Sequence, residues 1–201
     1  MRFAVLASSL ALSILPFPSP VRAADAQTVL EAAQRLDALE PFLARYVGRC
    51  ADVFERRVCE ANVARARKDA SGKTFVVRVT DAATLIHPER RGEGYVLLLT
   101  PFIDGGGLAL TNGAPAKQDA QGRPLISFIP IASPLPTGMM DMEFESPFRT
   151  GAIELEIAFR PEKTWKLARR GEGLYEGVAA RFVAVRVINS RTGKEIASKV
   201  L

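Results

Sequence analysis

The stretch that most limits what this chain can fold into is residues 139–160. It alternates apolar and polar residues in two runs, separated by Ser146-Pro-Phe-Arg-Thr-Gly151. In the first run Met140, Met142 and Phe144 oppose Asp141, Glu143 and Glu145. In the second, Ile153, Leu155, Ile157 and Phe159 oppose Glu154 and Glu156. Successive side chains of a strand point to opposite faces, so period two over this length predicts half-buried strands. Two such runs joined by a turn predict a β-hairpin with one apolar and one acidic face.

The chain opens on an address. Arg2 supplies a short positive region, residues 3–15 are mostly apolar, and Pro16, Pro18 and Pro20 end the run. Val21-Arg22-Ala23 places small residues where a signal peptidase reads them. The expected signal peptide is therefore residues 1–23, with a cut after Ala26 as the alternative. The apolar run is shorter than the roughly 20 residues a membrane helix needs, so no transmembrane segment is expected after its removal. Loss of Arg2 and Arg22 takes Lys+Arg from 27 to 25 against 22 acids, so net charge falls from +5 to +3. That balance is mild. It does not point to nucleic acid, which calls for a clustered basic face.

Residues 25–69 have a helical texture. Val29, Ala33, Leu36, Leu39, Leu43 and Val47 recur every three or four positions and form one stripe. Pro41 either kinks this helix or sits in the first turn of a new one, and Gly48 is a natural stop. A second helix is expected near Asp52, with Val53, Phe54, Val58 and Ala61 facing inward. It should end on Arg65, Arg67 and Lys68, where cations complement the helix dipole.

Cys50 and Cys59 are the only cysteines. In an oxidising compartment such a pair predicts a disulfide. On one continuous helix the two would lie about 13 Å apart, beyond the ~7 Å a bridge tolerates. A bridge therefore needs a turn between them. The competing metal or redox reading lacks a Cys-x-x-Cys spacing and a nearby His.

From Thr74 the texture becomes short β-rich runs broken by Gly and Pro, with residues 177–189 read as a central strand. In that strand Val183, Val185 and Val187 should face one way and Phe182, Ala184 and Ile188 the other. The predicted class is α+β: an N-terminal helical segment followed by an antiparallel β-sandwich or open barrel. The expected organisation is a signal peptide at 1–23, a disulfide-bearing helical segment at 24–72 and a β-sandwich domain at 73–201.

Arg90-Arg-Gly-Glu-Gly94 recurs as Arg169-Arg-Gly-Glu-Gly173. The plain reading is two similar hairpin loops. The sharper one makes Arg90, Arg91, Arg169 and Arg170 anion-binding loops, because paired guanidinium groups suit phosphate and carboxylate.

Catalytic signatures are sparse. His87 is the only histidine, and a protein-built zinc site usually wants several His or Cys ligands. Neither a nucleophile elbow nor a phosphate-binding glycine motif occurs, so no cofactor is expected. Met139, Met140 and Met142 could offer soft thioethers, but core packing is the ordinary role of such residues. The acidic residues Asp141, Glu143, Glu145, Glu154 and Glu156 form a candidate cation or partner site, unless neighbouring strands supply matching bases, for which Arg78, Arg160, Lys166 and Arg186 are the candidates. The expected function is that of an exported, non-enzymatic binding or structural protein of the cell envelope, in the periplasm or outside the cell. Its partner would be a protein or an envelope polymer. The alternative is a small secreted hydrolase using carboxylates or His87.

Overall fold

Ile153–Ala168 and Leu174–Asn189 are strands of 16 residues each, and they pair antiparallel from Ile153–Asn189 to Ala168–Leu174. The computed structural model describes residues 21–50, 52–115, 117–118, 124–131, 135–136, 144–168 and 174–201. Its helices are α1 (Val21–Ala32), α2 (Leu39–Val47), α3 (Arg56–Ala70) and the single turn α4 (Ser146–Arg149). Its strands are β1 (Gln34–Arg35), β2 (Phe75–Val79), β3 (Ile86–Arg91), β4 (Gly94–Leu99), β5 (Phe102–Asp104), β6 (Ala109–Asn112), β7 (Lys117–Gln118) and β8 (Pro124–Leu125). They continue with β9 (Ile129–Pro130), β10 (Leu135–Pro136), β11 (Ile153–Ala168), β12 (Leu174–Asn189) and β13 (Glu195–Val200).

The larger sheet has seven strands in the order β1-β2-β11-β12-β6-β5, with β13 also on β12. One edge of β12 carries β11. The other is divided between β6, over Gly177–Ala180, and β13, over Ala184–Ile188. Both β1–β2 and β12–β6 are parallel, so the sheet is mixed rather than wholly antiparallel. A smaller sheet sets β4 between β3 and the short β9 and β10. Neither sheet closes on itself. The molecule is thus helices with a mixed, sheet-rich body.

The core lies on one face of the large sheet. Leu155, Ile157, Phe159, Phe182, Val185 and Val187 are buried there. Ile86, Leu97 and Leu99 of the smaller sheet, and Leu39 and Leu43 of α2, belong to the same cluster. On the opposite face, Leu30 of α1 packs with Val76, Ala158 and Ala184. Among the described residues no helix is long and apolar enough to cross a membrane.

Several sequence expectations change. The place expected for residues 139–145 beside 152–160 is occupied. β11 pairs with β12 along its length and with β2 over Leu155–Phe159, so over those five residues both of its edges are taken. Phe144 and Glu145 instead lead into the helical turn of α4, while residues 139–143 lie outside the described residues. The even alternation of 177–189 is also broken. The β11–β12 register slips between Ala158 and Phe159, whose partners are Ala184 and Phe182, leaving Val183 as the extra residue. A bulge exchanges the faces beyond it. Phe182 therefore joins Val185 and Val187 in the main core, and Val183 packs with Ala184 on the other side. A second slip, between Pro161 and Lys163, turns Trp165 to a cluster with Ala109 and Ala179. Its Nε1–H donates to Thr111 Oγ1 at 2.9 Å.

Within the helical stretch, α1 stops at Ala32 and β1 pairs with β2. The helix α2 starts afresh with Pro41 in its first turn and closes on Gly48 at φ 68°. Gly177 marks the tightest junction. A Cβ there would lie 2.0 Å from the carbonyl oxygen of Ala109, in the parallel β12–β6 pair. Gly177→Ala is therefore expected to destabilise the fold by about 3 kcal/mol, the upper range for overpacking. Urea unfolding against the wild type would measure it, and unchanged stability would mean that β6 does not approach β12 so closely.

Candidate functional site

The helix α3 is laid on α2 along one narrow stripe: Cys59, Val63, Ala66 and Ala70 are its less exposed positions. Gly48 lets the two helices approach, since a Cβ there would meet Val63 Cγ2 at 2.0 Å. Arg67 ties them polar-side, its Nε donating to the Tyr46 carbonyl at 2.9 Å and its Nη2 to that of Val47 at 3.1 Å. These are last-turn carbonyls of α2, which lack helical partners, and a cation is favoured beside them. The Cys50–Cys59 disulfide, with Cα atoms 5.6 Å apart, fixes the start of α3 to the end of α2. The chain makes its turn before Arg56, as a bridge at this spacing requires.

Here the inward assignment of Val53, Phe54, Val58 and Ala61 fails. The first three are 70%, 97% and 64% exposed, and Ala61 is exposed as well. The helix begins only at Arg56, and the stripe through Cys59 and Val63 turns Val58 away from α2. Phe54 stands at the tip of the disulfide-closed loop, where Asp52 Oδ1 accepts its backbone N–H at 2.8 Å. Arg56 and Arg57 follow it, both exposed and in no ion pair among the described residues. The apolar patch is thus small, carried on a disulfide-closed loop and interleaved with charges of both signs.

Beside α3 runs a groove of about 670 Å³. Its floor holds Glu176, 8% exposed and cross-strand to Lys166. Arg49 Nε donates to Glu176 Oε1 at 2.5 Å, and Lys166 Nζ lies 3.1 Å from Oε2. Burial pushes the Glu176 carboxyl up, but the hydrogen bonds from Arg49 and Lys166 together outweigh it and hold the group below its ordinary value. This triad joins the segment after α2 to the sheet.

The acids of the large sheet meet bases. Arg78 of β2 donates to Glu154 Oε2, through Nε at 2.8 Å. That bond raises the Arg78 guanidinium further, against a smaller desolvation cost. Glu156 is not on a solvated face: it is 2% exposed, held by Arg35 of β1 at 3.3 Å and by Arg186 of β12, whose Nε lies at 3.0 Å. Glu145 pairs with Arg149 one turn along. Asp141 and Glu143 lie outside the described residues. Arg90 and Arg91 stand exposed at the end of β3, and Arg91 is already paired with Glu89. Arg169 and Arg170 lie outside the described residues. His87 is exposed on β3, with Nε2 2.9 Å from Thr100 Oγ1 and its ring edge-on to Phe128. Among the described residues no three His, Cys, Asp or Glu side chains converge on a metal position. The loop of Phe54 escaped sequence reasoning because its apolar residues look like one more inward stripe. The available signal was the clustering of charged residues between the two cysteines.

Two outcomes are expected here. Intact mass of the non-reduced protein should show no alkylatable thiol, and the Cys50→Ser/Cys59→Ser pair should lose about 2–3 kcal/mol on the loop-entropy account; two reactive thiols would remove the bridge. For Glu176, a folded-state pKa below the unfolded one means stabilisation that is complete above about pH 4.5 and is lost as pH falls through the folded value. Glu176→Gln should therefore be less stable by about 1–3 kcal/mol at neutral pH, with the gap to wild type closing in acid. A gap independent of pH would show that the triad does not titrate with folding.

Neither a curated protein nor a solved structure matches this chain. A family pattern does, over residues 2–200 and so almost end to end: the chain belongs to DUF6066, a family of unknown function.

Proposed function

We propose that this protein is an exported, non-enzymatic binding protein of the cell envelope that docks a protein partner on its disulfide-closed loop and the outer face of α3. The observation that carries this reading is Phe54, 97% exposed on a loop whose backbone is constrained by the Cys50–Cys59 bridge and the Asp52 turn. Closing the loop in advance lowers the backbone entropy lost on binding, and aromatic and Arg side chains are enriched in interface cores. Flanking Arg56 and Arg57 supply charge for an acidic partner surface. A lipid surface suits the site less well. Asp52, Glu55 and Glu60 sit among the bases, and an anionic bilayer would repel them, whereas a protein can match each charge singly.

Export belongs to the same reading. It is supported by the disulfide, which persists in oxidising compartments. Cleavage after Ala23 would leave Ala26 and Leu30, both buried against the sheet body, in the mature chain; the later cut would remove Ala26. The two sheets act as the scaffold that holds α2 and α3 in place.

A photo-crosslinking residue at position 54, used in the producing cells, would identify the partner for reconstitution with purified protein. Phe54→Ala should then weaken binding at least tenfold while leaving the melting temperature unchanged, because the ring is 97% exposed. Arg56→Glu with Arg57→Glu should weaken it as well. Equal affinity of Phe54→Ala and wild type would sink the proposal, as would Phe54-dependent binding to anionic vesicles.

A further inference from the structure

On the other side of α2 lies a hollow of about 350 Å³, bounded by β1, α2, the end of α3 and the start of β2. Its floor is aromatic. Phe42 is half-buried there, its ring centroid 5.0 Å from that of Phe75 and 5.5 Å from that of Phe159, with Tyr46 stacked at 5.8 Å. Phe42 is thus the open member of a ring cluster that continues into the core, and Leu36 adds aliphatic wall. The rim carries four charges of two signs: Asp37 and Asp69, Arg45 and Lys73. Among the described residues none of the four forms an ion pair, although each sign is present twice around one small opening.

This combination selects a chemistry. An apolar floor with a few convergent polar groups is the usual form of a small-molecule site, and its volume falls in the usual range. The rim is neutral in sum, so a purely anionic or purely cationic guest would meet as much repulsion as attraction. A guest with both charges satisfies both pairs. We propose that this hollow binds a small zwitterion with an apolar body, of the class of an apolar amino acid or dipeptide. The body lies on Phe42, the ammonium faces Asp37 and Asp69, and the carboxylate faces Arg45 and Lys73. The site is separate from the loop of Phe54 and does not depend on the partner proposed for it.

The test is calorimetric titration of the purified exported protein with leucine, phenylalanine, leucyl-leucine and phenylalanyl-leucine, up to about 10 mM. At least one should bind saturably. Acetylating its amine or amidating its carboxylate should each weaken binding tenfold or more, as expected for loss of a charge-assisted contact. Asp69→Asn should erase the penalty of acetylation, and Arg45→Gln that of amidation. Both residues are exposed, so neither change should disturb folding, and Phe54→Ala should bind the ligand as wild type does. Failure of all four compounds to bind, or equal binding of free and capped forms, would overturn the assignment.

Discussion

Everything in this fold hangs on the pairing of β11 with β12. β12 is long enough to serve β6 and β13 in succession along its outer edge, and β11 carries β2 on its own, so one ribbon gathers three further strands. Two bulges interrupt the ribbon, and each changes which side chains enter the core. The core face of β11 before the first bulge is the row Ile153, Leu155, Ile157; after the second, the residue that matters is Trp165, on the opposite side.

The same ribbon decides the fate of its acids. A buried carboxylate is expensive to desolvate unless its lone pairs are met. Glu156 is met from both flanks, by Arg186 on the neighbouring strand and by Arg35, which reaches it only because β1 docks parallel on β2. The two-residue strand β1 thus has a role beyond its backbone pairing: it delivers a guanidinium to the sheet and turns the chain toward α2. Removing one partner of such a group leaves a charge buried, so the cluster ties β1, β11 and β12 together at a cost to any change in it.

The helical segment plays a different part. The helix α2 is buried among the aromatic rings, whereas α3 touches the body by one stripe, one bridge and the Arg67 contacts. A helix held so sparingly leaves a surface on each flank. The disulfide closes the loop without burying it, so Phe54 stays exposed at its tip. The Glu176 triad secures the same segment from beneath through Arg49.

What the sequence determined by itself was local. Period-two alternation marked β11, Pro41 and Gly48 marked the ends of α2, and the cysteine spacing required a turn before α3, because backbone geometry and closure distances are read over a few residues. What only the tertiary structure decided was who neighbours whom. Alternation states that Glu154 and Glu156 share a face, but not that Arg78, Arg35 and Arg186 lie beside them, nor that β2 rather than residues 139–145 takes the edge. Parity along a strand is lost at a bulge, which has no signature in the residues around Val183. The apolar residues Val53, Phe54 and Val58 look alike whether they face a core or a partner, because burial depends on what packs against them and not on their own chemistry.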